Sequence, residues 1–165
     1  MVSDEIRIGM ANLHDAFLNC SLLRRSMESA PLCKDADTFH MSDRARYERL
    51  WVAFLAVLIE AWRSGQMIPV VSHIRQNTDI GKLTQLLRGG EKDGSIAQIR
   101  ETRHYMFHRD KREYWDDGRL GPVGNLKYNM ELHDAFSHVL LNTMRCVPEC
   151  TKRPGIAHAT EGSSE

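Results

Sequence analysis

Apolar positions recur at helical spacing through most of the chain, and strand-like alternation persists nowhere. Ile6, Met10, Leu13, Phe17 and Leu18 open the pattern and Leu22 continues the stripe, which predicts a first helix over residues 3–28. Pro31 and the polar Lys34-Asp35-Ala36-Asp37 break it, so residues 29–41 read as a loop. Ser42 suits an N-cap, and Asp43 follows where the helix dipole favours negative charge. The helix they open should run to about Ser64 and close at Gly65. Along it Leu50, Phe54, Val57, Leu58 and Ala61 form one stripe, while Trp51, Leu55, Ile59 and Trp62 nearly fill a second. A helix apolar over most of its circumference is a central core helix or an oligomer interface. Glu60 interrupts that surface.

Beyond Pro69 the pattern predicts a short helical piece near residues 70–76. Asp79 then caps a helix carrying Ile80, Leu83, Leu86 and Leu87, which Gly89-Gly90 should end, leaving residues 91–94 as a turn. Ser95 begins the next helix, with Ile96, Ile99, Met106 and Phe107 as its apolar residues. Residues 114–125, with Gly118, Gly121-Pro122 and Gly124-Asn125, form a loop. A last helix over residues 128–145 turns Leu132, Phe136, Val139, Leu140 and Met144 inward, and Pro148 ends it. The small, polar residues 151–165 read as a disordered tail. The fold class is therefore all-α, an up-and-down bundle of four main helices plus a short one, in a single domain over residues 1–150.

Length and composition agree with this. A chain of 165 residues suits one core, and 42% hydrophobic with 27% charged residues is ordinary for a globular protein. Net charge is zero, so attraction to nucleic acid has to come from a local basic patch. The N-terminus lacks the apolar core of a secretion signal, and the longest apolar run, Trp51 to Ile59, is too short to span a membrane. Cys20, Cys33, Cys146 and Cys150 are too few to frame a chain of this size with disulfides. The expectation is a reduced, cytoplasmic protein without membrane attachment.

One stretch carries candidate chemistry. Residues 100–112 hold Arg100, Arg103, His104, His108, Arg109, Lys111 and Arg112 around an apolar centre of Tyr105, Met106 and Phe107. Within it lies Arg103-His104-x-x-x-His108. Arg followed by His after four to six residues occurs three times, but only this occurrence has a polar residue directly after the Arg; Ile8 follows Arg7 and Pro154 follows Arg153. The arrangement resembles the signature of the HEPN superfamily, small helical proteins many of which are metal-independent ribonucleases. The helix from Trp51 to Trp62 and the segment Leu132-His133-Asp134-Ala135-Phe136 also look like parts of HEPN-like proteins, so the likeness covers about residues 42–145. It departs from the family at His104, where Asn is commoner, and at Asp110, where several active members place Tyr.

The resemblance implies cleavage of RNA by its own 2′-hydroxyl, without metal or other cofactor. His suits the acid and base roles because its pKa lies near neutrality, and Arg offers a planar fork of donors to a phosphorane. On one straight helix Arg103 and His108 lie about 140° apart, whereas His104 and His108 share a face. Family members meet this geometry by pairing two copies, so a homodimer with Arg103, His104 and His108 of both chains in one cleft is expected. In it His108 is the principal acid/base, Arg103 binds phosphate, and His104 orients or serves as the second acid/base. Arg100, Arg109, Lys111 and Arg112 would bind the RNA backbone, with Glu60 a candidate supporting acid. A toxin or defence role with an antitoxin partner follows from the resemblance alone.

Competing readings use the same residues. Arg103 and His108 serve equally well as structural hydrogen-bonding groups in a non-catalytic interaction module, and the charge run as a solvated salt-bridge region. A metal site would take His104 and His108 with Asp110, Glu101 or Glu60, although the Glu of the helical zinc-protease motif is missing. Cys146 and Cys150 straddle Pro148 with no second pair of clear partners. His108-Arg109-Asp110 spells a kinase triplet without the following Asn or a Gly-rich loop, which excludes that class.

Overall fold

The computed structural model describes residues 4–32, 42–64, 78–107 and 124–150. Among them are five helices and no strand: α1 (Asp4–Ser29), α2 (Asp43–Arg63), α3 (Thr78–Asp93), α4 (Ser95–Phe107) and α5 (Leu126–Cys150). The all-α bundle expected from the periodicity is what forms. The expected short helix near residues 70–76, most of the loop over 114–125 and the tail 151–165 lie outside the described residues. No helix among those described is long and apolar enough to cross a membrane.

α2 is the central element. Ser42 caps it as its sequence demands: extended at φ −69° and ψ 152°, it accepts a hydrogen bond from the Ala45 amide at 3.2 Å, satisfying one of the helix's orphan donors. Trp51, Val52, Leu55, Ala56 and Leu58 are fully buried and Ile59 nearly so, which makes α2 the core helix rather than an oligomer face. α1 packs antiparallel along one side of it; the Arg44 guanidinium donates to the Met27 carbonyl, and one stretch further on Cys20 Sγ lies 3.7 Å from the Trp51 carbonyl. α4 packs antiparallel along another side, with Phe107 edge-on to Phe54 at 5.9 Å. α5 rests mainly on α3 and reaches the core through Leu132, Phe136 and Val139, while Trp62 meets Phe136 edge-on at 6.0 Å.

Four expectations need correction. The apolar stripe of α1 is two stripes. Leu13, Ala16, Cys20 and Met27 face α2, whereas Leu18 and Leu22 turn outward and are 51% and 63% exposed. Phe107 is likewise half exposed despite its apolar ring. Pro148 does not end α5, which continues to Cys150; proline has no amide hydrogen to give the carbonyl four residues back, and the last turn runs on without that one bond.

The fourth correction concerns Gly89-Gly90, which are helical within α3, so that residues 91–93 continue the helix and the break comes at Gly94 with φ +84°. Gly90 is there for space. A Cβ on it would sit 2.0 Å from Tyr128 Oη and 2.9 Å from Ile96 Cγ1, and that same hydroxyl donates to the Leu86 carbonyl at 2.9 Å. Nothing lies within 4 Å of a Cβ on Gly89. Alanine at the two positions should therefore act with opposite sign. Gly90→Ala is expected to cost about 1–3 kcal/mol by overpacking, and Gly89→Ala to add up to about 1 kcal/mol through helix propensity, both read from urea midpoints.

Candidate functional site

The geometry of the motif helix begins at its cap. Asp93 Oδ1 accepts the Ser95 amide at 2.9 Å, so α4 starts one residue after α3 stops, and the positive φ of Gly94 makes the corner. That contact lowers the Asp93 carboxyl from its ordinary value. Ile96 and Ile99 anchor the first turns in the core. The remaining turns therefore carry their polar side chains along the outside of α2.

There the sequence-distant residues meet. Arg103 forms an ion pair with Glu60 of α2, the two side chains 37% and 48% exposed. Nearby, Glu91 Oε1 accepts from Arg63 and, at 3.3 Å, from Arg100, and these contacts, Arg63 first, hold the Glu91 carboxyl below its usual range. Three arginines and two carboxylates thus line one solvent-facing seam between α2, α3 and α4. Arginine forks held at such a surface can exchange a carboxylate for a phosphate, because both present paired oxygens. His104 is exposed one position further on, its ring against that of Tyr105 at 6.2 Å. Arg100, Arg103, His104 and Glu60 are consequently placed. His108, Arg109, Lys111 and Arg112 lie outside the described residues, as does Asp110.

The two described carboxylates of the metal alternative have other partners. Glu60 holds Arg103, and Glu101 accepts the Tyr105 hydroxyl at 2.9 Å. Among the described residues no three His, Cys, Asp or Glu side chains are grouped to hold a metal ion. Cys20 is buried, and burial pushes its thiol well up, so it is no nucleophile.

A second polar cluster escaped the sequence reading. His133 of α5 is 5% exposed, stacked on Phe17 at 5.5 Å and edge-on to Trp51 at 6.1 Å. Arg24 Nη1 lies 2.7 Å from its Nδ1 and Ser21 Oγ lies 3.1 Å from its Nε2, while Arg24 also pairs with Asp134 and Glu28. A guanidinium only donates, so Nδ1 is the acceptor and Nε2 carries the hydrogen that goes to Ser21. Burial first, and the Arg24 charge second, lower the His133 pKa to about 4. Its one free lone pair faces a cation. His133 cannot take the Ser21 proton, and the cluster is a polar clasp between α1 and α5 rather than a nucleophile–base pair. The only local sign of it was the Arg24–Glu28 spacing, since the rest is joined across 109 residues.

No protein-family model, curated protein or solved structure matches this chain.

Proposed function

We propose that the chain is a metal-independent endoribonuclease of HEPN type, with its site composed across a homodimer from Arg103, His104 and His108. The observation that carries the reading is the meeting of Arg103 with Glu60 beside Arg100 and Arg63, at a surface where His104 is also exposed. Such a seam suits a phosphodiester: it is cationic by one charge among its five ionised groups, open to solvent and equipped with planar forks.

In the proposed reaction the ribose 2′-oxygen attacks the adjacent phosphorus and the bond to the 5′-oxygen breaks. One histidine takes the 2′-hydroxyl proton and another protonates the departing 5′-oxygen, leaving a 2′,3′-cyclic phosphate. Arg103 would meet the charge that builds on the phosphorane, and Glu60 would hold its fork in place until phosphate replaces the carboxylate. Arg100 and the basic residues 109, 111 and 112 would track the backbone. A cytoplasmic location, a toxin or defence role and a neutralising antitoxin belong to the same reading, on the strength of the motif's resemblance.

The second reading is a non-catalytic helical dimerisation or interaction module, favoured by the fact that Arg103 already has a carboxylate partner. Purified protein incubated with mixed RNA in EDTA, beside His108→Ala, separates the two. Fragments ending in 2′,3′-cyclic phosphate from wild type alone support the ribonuclease. No fragments from either favour the module.

A further inference from the structure

The outer face of α1 is built for a partner. Ile8, Ala11, Asp15, Leu18, Leu22, Arg25 and Ser29 follow one another at intervals of three and four residues, and every one of them is exposed. That is the a/d spacing of a coiled-coil seam, on the side of α1 opposite to the stripe that packs on α2. Ile8, Leu18 and Leu22 are each more than half exposed, and the seam carries two charges, Asp15 and Arg25, neither of which has an ion-pair partner among the described residues.

We infer that this seam is a docking surface for a second copy of the same chain, joined antiparallel to α1 about a two-fold axis between Leu18 and Leu22. The spacing of the charges selects that partner and that direction. With Leu18 opposite the partner's Leu22, Asp15 falls opposite the partner's Arg25 and Ala11 opposite the partner's Ser29. Ile8 then reaches the end of the partner's helix, just beyond which Leu32 of each chain is 73% exposed. Every a position meets a d position, as antiparallel pairing requires, and symmetry makes each ion pair twice. A parallel pair in register would set Asp15 against its own copy and Arg25 against its own copy. One charged residue at such a seam is the usual device for fixing register and orientation. The small side chains of Ala11 and Ser29 share a layer, which lets the backbones approach at either end.

This surface is separate from the motif seam, because α2 packs between α1 and α4. The inference does not rest on the ribonuclease reading. If the motif is also completed in trans, two different two-fold contacts give a tetramer where their axes cross at right angles; if it is not, the seam alone gives a dimer.

The test is the mass of the full chain in solution at about 100 μM, by light scattering or sedimentation, for wild type and for the double variant Leu18→Glu/Leu22→Glu. Either wild-type assembly should fall to half its mass in the double variant, with helical circular dichroism retained because both positions are on the surface. A wild-type mass equal to the 18.9 kDa of one chain overturns the proposal, as does an assembly that the double variant leaves intact. Should the leucine variant fail to fold, a charge exchange decides. Asp15→Arg and Arg25→Asp alone should each weaken self-association at least about tenfold, and together should restore it to within about threefold. The two positions are about 15 Å apart along one helix, so rescue can come only from pairing between chains. Absence of rescue overturns the antiparallel seam.

Discussion

Under the proposed ribonuclease reading, Arg103→Ala and His108→Ala should each slow RNA cleavage at least about a hundredfold, and Arg103→Ala should leave urea stability within about 1 kcal/mol of wild type. The two halves of that statement come from different physics. Arg103 and Glu60 form a pair that is more than a third exposed on both sides, and such pairs contribute little to folding. Loss of a cation aimed at a developing phosphorane, by contrast, removes stabilisation found only in the transition state. The interaction-module reading makes the opposite forecast: no cleavage to lose, and any effect confined to stability or association. Glu60→Gln sharpens the contrast. It releases Arg103 without removing it, so an assembled nuclease should retain cleavage within about tenfold of wild type and bind phosphate more readily. Cleavage abolished equally by Glu60→Gln and Arg103→Ala would instead assign Glu60 a proton-transfer role. Retention of full cleavage by Arg103→Ala would sink the motif assignment altogether.

The second large effect is on stability against pH. His133 titrates near 4 in the folded chain, against 6.5 for an unhindered histidine, because it is buried and faces Arg24; Asp134 and Glu28 oppose the shift and do not cancel it. Around it stand Ser21, Arg24, Glu28 and Phe17 from α1, Trp51 from α2, and Asp134 beside it on α5. A histidine whose folded pKa is lowered binds fewer protons folded than unfolded between those two values. Its stabilisation is therefore whole above about pH 6.5 and is lost as pH falls towards 4, by about 3 kcal/mol in all. Wild type should lose that much more unfolding free energy between pH 7 and pH 4 than His133→Gln does. Subtracting the variant removes the carboxylates common to both. Parallel pH curves for the two proteins would mean that His133 binds its proton equally well in the folded and the unfolded chain.

How much of this was legible in the chain depends on whether the signal was local. Ser42-Asp43 announced the start of α2 because a cap is a contact between neighbours three residues apart. The burial of Trp51, Leu55 and Ile59 followed from an apolar circumference that has no other use in water. Glu60 stood out for the same reason, as the one charge on that surface, though nothing in the sequence joined it to Arg103. The misreadings share a cause. Leu18 and Leu22 sit within a residue of inward-facing positions, and a helix with apolar residues on two opposite faces has no single period to read. Gly89-Gly90 looked like a stop because glycine is usually a break; here one of the pair is an accommodation to Tyr128, 38 residues downstream. The His133 clasp depended on a fold that had first to exist.

The corner at Gly94 has a further consequence. A one-residue connection has no slack, so the phase of α4 about its own axis is inherited from α3. Inserting a single residue there would turn the helix by about 100° and carry Arg103 off Glu60, even if every other contact were kept. The links between α1 and α2 and between α2 and α3 run over more than ten residues each. Length variation in descendants of this sequence should therefore spare the corner, which behaves less like a loop than like a gear tooth.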